Sequence, residues 1–258
     1  MSLELFDLSG RLAVVIGGTS GIGRTLAIGL ARAGADVIAT GRREDMVNEV
    51  ATEIEKLGRK SLRRTSDASN RQSIDALRDA VLEEFGPVDI LLNAAGQIFR
   101  KPTVEISEDE WNGLLDVNLT GALRACQSFY QPLVDSGRGR VINIVSLTSY
   151  VSFLEVAAYA ASKSGLLGLT RSLAIEWAQK GVSVNAIAPG VFKTDLNTAL
   201  LEGTDRGREL LMRTPMKRFG KIPELVGTAI FLASEASSFI TGQCIAVDGG
   251  FLASGVNS

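Results

Sequence analysis

Histidine is absent from the 258-residue sequence, and cysteine is scarce. Without an imidazole, a Ser-His-Asp or Cys-His arrangement is excluded, and the commonest zinc ligand is missing. The two cysteines, Cys126 and Cys244, each stand alone in an apolar neighbourhood. That pattern predicts buried free thiols in a reducing compartment, not a disulfide framework or a metal site. We therefore expect no metal centre.

Long apolar runs and a large net charge are also missing. No run approaches the ~20 residues of a membrane helix, and no N-terminal segment has the charged-then-apolar form of a signal peptide. Lys and Arg total 27 against 29 Asp and Glu, which gives a net charge of -2. This balance offers no electrostatic case for nucleic acid or for an anionic membrane. We expect a cytoplasmic protein whose ligands are small molecules.

Short apolar runs alternate with helical patterns along the whole chain, and no linker or composition break interrupts them. This alternation predicts one α/β domain over residues 1–258, with a doubly wound parallel sheet of about seven strands flanked by helices. A polar segment at about 191–215 is expected to be a mobile loop. The predicted strands are 12–16, 36–40, 60–65, 87–92, 140–145, 182–187 and 243–247. The predicted helices are 24–33, 44–57, 71–84, 107–134, 157–179 and 223–233. Ser107, with Glu110 three residues on, predicts a capping box at the start of the helix at 107–134.

A glycine turn stands between the first predicted strand and the first predicted helix. It reads Gly17-Gly-Thr-Ser-Gly21-Ile-Gly23. Glycines here would let the backbone turn sharply and approach a pyrophosphate at the helix N-terminus. A glycine cluster alone can be a plain tight turn, but a strand before it and a helix after it favour the dinucleotide-binding unit of a Rossmann fold.

The tip of the second strand bears on the choice of dinucleotide. An acidic residue there would hold the ribose 2′-hydroxyl of NAD, whereas an arginine can pair with the 2′-phosphate of NADP. Gly41 stands at the expected acid position and Arg42 follows it. The pattern favours NADP and leaves NAD possible. The alternative is a solvated arginine pair at a helix start.

Tyr159 and Lys163 are four residues apart in an Ala-rich segment that predicts a helix, so they share a face. A lysine charge ~4 Å from the phenol would lower the tyrosine pKa by at most about 3 units, toward the range of a general acid/base. Ser146 follows an apolar strand and can hydrogen-bond a substrate oxygen. The other interpretation is a chance pair on a surface helix, and this stretch alone does not decide between them.

The polar and glycine residues at predicted strand ends point to one location. In parallel sheets of this kind, ligands bind at the carboxyl ends of the strands. Unrelated surface features would not be expected to gather on one edge. The residues at these predicted ends are Gly17, Arg42, Asp67, Asn93, Ser146 and Pro189.

Together these features resemble the short-chain dehydrogenase/reductase family over essentially the whole chain. The motifs that carry the resemblance are the Gly-x-x-x-Gly-x-Gly turn, Asn93-Ala-Ala-Gly96, Asn118, Ser146, Tyr159-x-x-x-Lys163 and Pro189-Gly190. Ile16 and Ala94 depart from the family pattern, which usually has Thr and Asn there. Each departure removes a turn-stabilising hydrogen bond.

The resemblance implies a catalytic group of four residues. Tyr159 would be the acid/base, and Ser146 would polarise the substrate oxygen. Lys163 would lower the tyrosine pKa and bind the nicotinamide ribose, and Asn118 would anchor a water that leads from Lys163 to solvent. A homotetramer with the helices at about 107–134 and 157–179 packed between subunits is also implied.

A set of cofactor contacts and a set of substrate contacts follow from the same resemblance. The cofactor set is Gly17, Thr19, Ser20, Gly21, Ile22, Gly23, Arg42, Asp67, Ala68, Asn93, Ala94, Gly96, Tyr159, Lys163, Pro189, Gly190, Val191 and Thr194. The substrate set is Arg100, Ser146, Thr148 and Tyr159.

Three loops should line the substrate pocket, at 97–102, 147–157 and 191–215. Arg100 suits a substrate carboxylate, although a solvated charge pair with Lys101 is the alternative. Residues 96–102 and 108–111 look like those of gluconate 5-dehydrogenases and deoxygluconate dehydrogenases. We therefore expect an NADP-dependent oxidoreductase for a sugar acid or related polyol.

Two other functions stay open. The rather apolar second loop, with Phe153, Leu154 and Val156, suits a 3-oxoacyl-carrier-protein reductase or another ketone reductase. A non-catalytic dinucleotide sensor would be expected to have lost the proton-transfer residues, and all four are present.

Overall fold

Six parallel strands form one sheet in the order β2-β1-β3-β4-β5-β6. The structure, a computed structural model, describes residues 3–193 and 201–255. The strands are β1 Leu12–Ile16, β2 Asp36–Thr40, β3 Ile90–Asn93, β4 Arg140–Ile144, β5 Ser183–Pro189 and β6 Cys244–Val247.

Among the described residues, one or two α-helices follow each strand from β1 to β5. They are α1 Gly21–Arg32, α2 Glu44–Lys56, α3 Arg71–Phe85, α4 Glu108–Leu115, α5 Gly121–Asp135, α6 Ala157–Trp177, α7 Asp205–Arg213 and α8 Val226–Ala233. Short 3₁₀ turns lie at Leu3–Phe6, Thr103–Glu105, Leu147–Ser149, Ala178–Lys180, Ile222–Leu225 and Glu235–Ser237. Within these described residues, no helix is both long enough and apolar enough to span a bilayer.

Helices cover both faces of the sheet, because side chains of successive strand residues point to opposite faces. On one face, Val15 and Val37 pack with residues of α1, α2 and α8. On the other face, Val14 and Ile38 pack with residues of α3, α5 and α6. The predicted doubly wound parallel sheet is confirmed.

The predicted strand at 60–65 does not form, so the sheet has six strands where about seven were expected. This segment runs beside β2, but side chains replace part of the strand ladder. The Val37 N–H donates to the Lys60 carbonyl at 3.0 Å. The Ser61 hydroxyl donates to the Val37 carbonyl at 2.8 Å, and the Thr40 hydroxyl donates to the Arg64 carbonyl at 2.7 Å.

The predicted helix at 107–134 is interrupted. Ser107 and Glu110 form the expected capping box at its start. A π-helical turn, Asp116–Thr120, then separates α4 from α5 and contains Asn118. π-turns often occur at functional sites because they insert an extra residue into the helical spiral.

The segment at about 191–215, expected to be a mobile loop, contains α7. Thr204 caps this helix by accepting a hydrogen bond from the Gly207 N–H at 3.0 Å. Residues 205–213 of the expected loop are therefore helical, and the mobility of the segment stays a prediction. Thr194, a predicted cofactor contact, lies outside the described residues.

Candidate active site

The glycine turn brings β1 and α1 into close contact. Gly17 has φ +77°, and a Cβ there would lie 2.5 Å from the Ala95 nitrogen. A Cβ on Gly23 would lie 2.1 Å from the Gly17 carbonyl oxygen. These contacts leave no room for a side chain, so both positions require glycine.

The N-terminus of α1 is open to a ligand. Ser20 occupies the N-cap position, but its side chain makes no capping hydrogen bond, and the first turn carries no acidic residue. A Cβ on Gly21 would meet nothing within 4 Å. Backbone N–H groups at such a helix start favour an anion.

Arg42 and Asp67 lie at the β2 side of this edge. The Arg42 side chain is exposed, and its charge helps to lower the pKa of the Asp67 carboxyl. Asp67 also accepts hydrogen bonds from the Ser69 N–H and hydroxyl at 2.9 and 2.7 Å, which lower the same pKa against the effect of burial. Ala68, its neighbour, is buried against Gly121.

Asn93, at the end of β3, directs its amide into the core. Its Nδ2 donates to Asn143 Oδ1 at 2.8 Å and to the sulfur of Cys126 at 3.4 Å. Its Oδ1 is buried and has no hydrogen-bond partner among the described residues. Cys126 is a buried free thiol, as predicted, and burial raises its pKa to about 12. Cys244 is also a free thiol, but it is only partly buried where a buried thiol was expected.

Ser146 and Tyr159 place their hydroxyls side by side, close enough for the Ser146 hydroxyl to act on the pKa of Tyr159. Ser146 follows β4, and its Oγ also accepts a hydrogen bond from the Thr148 N–H at 3.1 Å. Tyr159 lies in the first turn of α6. Burial raises the pKa of Tyr159, and the Ser146 hydroxyl opposes that rise. The expected net lowering of this pKa is therefore not found in the chain alone, because desolvation outweighs the favourable contacts.

Lys163 is buried beside the tyrosine. Its Nζ lies 5.7 Å from the centroid of the Tyr159 ring and donates to the Ile144 carbonyl at 2.8 Å. Burial lowers the lysine pKa to about 8. Because this pKa lies above 7, the amine remains mostly protonated at neutral pH. The positive charge then lies close to the Tyr159 ring.

Asn118 is buried within the π-turn and binds the loop after β3. Its Oδ1 accepts from the Gln97 N–H at 2.8 Å, and its Nδ2 donates to the Gln97 carbonyl at 2.9 Å. The same Nδ2 donates to the Ser162 hydroxyl at 3.1 Å, next to Lys163. A Cβ on Gly96 would lie 3.5 Å from both Asn118 Oδ1 and Lys163 Nζ. Asn118 therefore fixes the backbone at 96–97 against the lysine.

Two of the three predicted substrate loops, 97–102 and 147–157, meet at Glu155. Arg100 forms an ion pair with Glu155 at 2.6 Å, and the Lys101 N–H donates to the Glu155 carbonyl at 2.8 Å. The Lys101 ammonium pairs instead with Glu110. Thr148 is buried, and its hydroxyl has no hydrogen-bond partner among the described residues.

A cavity of about 330 Å³ begins at Gly190 and Val191, beyond the end of β5. Charged residues in its lining are Arg218, Glu224 and Asp248. Ser146 and Tyr159 are not among its lining residues. Among the described residues, no cluster of His, Cys, Asp or Glu could hold a metal ion.

Comparison with known proteins places this geometry in a family. A family model described as enoyl-(acyl carrier protein) reductase matches residues 17–252. The 2-dehydro-3-deoxy-D-gluconate 5-dehydrogenase of Escherichia coli (strain K12) is 40% identical over 254 residues, which cover 98% of this chain and 100% of the relative. The chain belongs to the short-chain dehydrogenase/reductase family.

Two further family members support the same placement. The gluconate 5-dehydrogenase of Gluconobacter oxydans is 37% identical over 251 residues, covering 97% of this chain and 98% of the relative. A crystal structure of a gluconate 5-dehydrogenase from Burkholderia cenocepacia, in complex with NADP and tartrate, superposes with a TM-score of 0.94 at 37% identity. That match covers 98% of this chain and 99% of the other.

Four residues that hold the predicted site residues in place were not themselves predicted from the sequence. Gln97 and Ser162 hold Asn118, and Asn143 holds Asn93. Glu155 pairs with Arg100. A single sequence gives little signal for such contacts, because each joins residues that are far apart in the chain. Only Asn143, a polar residue inside an apolar strand, could have drawn notice.

Proposed function

We propose that the chain is an NADP-dependent oxidoreductase that moves a hydride between nicotinamide and a secondary alcohol or ketone of a sugar acid. The observation that carries the proposal is the Ser146–Tyr159 hydroxyl pair beside the buried Lys163 ammonium. This group follows the carboxyl end of β4, on the sheet edge where the glycine turn also lies.

The proton step falls to the hydroxyl pair. During alcohol oxidation, Tyr159 Oη accepts the proton of the substrate hydroxyl, and during ketone reduction it returns that proton. Ser146 Oγ donates a hydrogen bond to the same substrate oxygen and orients it. The bound nicotinamide supplies or accepts the hydride.

Lys163 and Asn118 support the tyrosine. The Lys163 ammonium stabilises the phenolate electrostatically, more strongly than in water because the site is buried. Asn118 keeps the backbone at 96–97 against the lysine through its two hydrogen bonds with Gln97. The predicted water between Asn118, Lys163 and solvent remains a prediction.

The residues present fit a dinucleotide. Gly17 and Gly23 allow the close turn, and the α1 N-terminus offers N–H groups and the uncapped Ser20 hydroxyl to a pyrophosphate. Arg42 would pair with a 2′-phosphate. The NADP named in the Burkholderia cenocepacia complex supports this choice.

The sugar-acid substrate is supported by the names of the relatives and by Arg100. The relatives act on gluconate, 2-dehydro-3-deoxygluconate or 5-ketogluconate according to their names. Arg100 stands on the loop after β3 and would bind the substrate carboxylate. The unpartnered hydroxyl of Thr148 would take a substrate hydroxyl.

A substrate panel tests this function. Purified protein is mixed with gluconate, 2-dehydro-3-deoxygluconate and 5-ketogluconate, and the absorbance of the reduced nicotinamide is followed with NADP(H) and NAD(H) in parallel. We expect turnover of at least one sugar acid, with NADP(H) preferred. Tight cofactor binding without turnover of any compound would favour the non-catalytic sensor.

A second candidate is a carrier-protein reductase. The description of the matching family model and the apolar residues Phe153 and Leu154 favour it. Adding 3-oxoacyl and enoyl thioesters to the same substrate panel distinguishes a carrier-protein reductase from a sugar-acid oxidoreductase. Thioester reduction without sugar-acid turnover would keep the hydroxyl pair and reject the sugar-acid pocket.

The wider organisation of the protein is also proposed. We expect one domain over 1–258, a cytoplasmic location, and a homotetramer that uses α4–α5 and α6. In support of a contact along α6, Ile175 is 81% exposed in the single chain. Sedimentation equilibrium should give four times the mass of 27.4 kDa. A monomer would reject this assembly.

A further inference from the structure

The loops at 97–102 and 147–157 are tied together at one residue, Glu155. Its backbone carbonyl accepts from the Lys101 N–H, and its carboxylate pairs with Arg100. Glu155 lies four residues before Tyr159, and Arg100 lies four residues after Gly96, which adjoins Lys163. The tie therefore joins the two chain segments that lead to Gly96 and Tyr159.

Glu155 adopts an unusual backbone conformation at this point. Its φ is +65°, in the left-handed region that residues other than glycine rarely enter. Such conformations persist only where the surroundings hold them, and they gather at sites of function. The Lys101 hydrogen bond supplies part of that support.

The guanidinium of Arg100 is engaged on one side only. The close contact with Glu155 is made at Nε, and the side chain of Arg100 is 44% exposed. Neither Nη group donates a hydrogen bond to any residue within 3–193 and 201–255. The edge formed by the two Nη groups can bind a carboxylate through two parallel hydrogen bonds.

We propose that Glu155 is a positioning residue that sets the substrate specificity of the enzyme. It holds Arg100 through the Nε side, so that the Nη edge meets the carboxylate of a sugar acid. This inference rests on the proposed function. It assigns a role to Glu155 that goes beyond the predicted carboxylate binding by Arg100.

Two other roles for Glu155 predict different effects. As a competitor, Glu155 would occupy the place of the substrate carboxylate, and its neutralisation would tighten sugar-acid binding. Removal of a negative charge near an anionic substrate would also tighten sugar-acid binding, by reducing electrostatic repulsion. A merely solvated ion pair would have no effect, since exposed pairs contribute little. The positioning role alone predicts weaker binding.

The test compares Glu155→Gln with the wild-type enzyme on gluconate and on gluconamide, its neutral amide. Glutamine keeps the backbone carbonyl that Lys101 needs and removes the charge that holds Arg100. We expect KM for gluconate to rise on the order of tenfold, as when an outer partner of a ligating side chain is lost. KM for gluconamide and kcat for both compounds should change little.

Glu110→Gln is the matched control. It removes the ion pair between Lys101 and Glu110 on the same loop, while glutamine can still complete the capping box. The gluconate-to-gluconamide ratio of kcat/KM should remain at the wild-type value in this variant. Glu155→Asp keeps the charge, so its gluconate-to-gluconamide ratio of kcat/KM should lie between those of Glu155→Gln and the wild-type enzyme. Thermal unfolding of each variant reports whether the fold is retained.

Each outcome decides the inference. A lower KM for gluconate in Glu155→Gln would establish competition, and an unchanged ratio would establish a solvated pair. Either result overturns the positioning role while leaving the proposed function standing. A wild-type enzyme that turns over no sugar acid would reject the proposed function, and the inference would fall with it.

Discussion

Arg42 is the residue on which the choice between the two nicotinamide dinucleotides depends. Its side chain is exposed beside Asp67, at the end of β2. A Cβ at Gly41 would lie 2.7 Å from the Thr19 hydroxyl, so a larger residue there would require the Thr19 side chain to shift. The acidic residue that would suit NAD at position 41 is absent.

Arg42→Ala should weaken NADP binding far more than NAD binding. Hydrogen bonds to charged groups contribute about 1.5–3 kcal/mol, so Kd for NADP should rise roughly 10- to 100-fold. Kd for NAD should change by less than about threefold, since NAD lacks the 2′-phosphate. Fluorescence titration of the reduced cofactors measures both values. Equal losses for the two cofactors would contradict the phosphate contact.

The buried Lys163 should make the cofactor-free protein more stable at alkaline pH. Its pKa is about 8 in the folded chain, below the unfolded value of about 10.4. Between these two pH values Lys163 is protonated in the unfolded state and mostly deprotonated in the folded state. The free energy of unfolding therefore rises with pH. The gain from pH 7.5 to 9.5 should approach about 2 kcal/mol.

Urea unfolding at pH 7.5 and 9.5 measures this gain in wild type and in Lys163→Met. The variant controls for the other groups that titrate in the same range. We expect the difference in unfolding free energy between the two proteins to change with pH by about the amount stated above. A pH-independent difference would show that Lys163 titrates normally.

At the scale of elements, the β1–turn–α1 unit depends on glycine contacts. The Gly23 position, where a Cβ would lie 2.1 Å from the Gly17 oxygen, is the tightest of the turn. Gly23→Ala must shift backbone, and overpacking of this kind typically destabilises by about 1–3 kcal/mol. It should also abolish tight dinucleotide binding, because the turn that receives the pyrophosphate moves.

Gly227→Ala is the control for this change. It lies in α8, where a Cβ would meet nothing within 4 Å. Differential scanning calorimetry and cofactor titration should show a loss for Gly23→Ala only. Normal cofactor binding by Gly23→Ala would contradict the proposed place of the pyrophosphate.

The helices and strands also show which structural features can be predicted from local sequence patterns and which cannot. The capping box at Ser107 and Glu110 was predicted from spacing and is confirmed, because a cap involves only neighbouring residues. The π-turn around Asn118 was not predicted, since its stabilising partners, Gln97 and Ser162, come from distant segments. The strand expected at 60–65 does not form for a related reason. The hydroxyls of Ser61 and Thr40 bind backbone carbonyls that would otherwise accept the hydrogen bonds of a strand pair.

At the scale of the whole molecule, the parallel sheet and its helical layers follow from the alternation of apolar runs and amphipathic helices. The gathering of glycine and polar residues at the carboxyl ends of the strands was also predictable, because parallel strands share one direction. The Arg100–Glu155 tie was not, because it joins two loops that neither alternation nor strand direction constrains. Such loop-to-loop contacts need the folded chain.

The most direct test of the account is gluconate oxidation by Tyr159→Phe with NADP, measured beside the wild-type enzyme. Phenylalanine keeps the ring against Lys163 and removes only the hydroxyl that lies beside Ser146. We predict a loss in kcat of roughly 10²–10⁴-fold, the range of general acid/base catalysis, with nearly unchanged Kd for NADP. A kcat within a few-fold of wild type would contradict the assignment of the proton step to this residue.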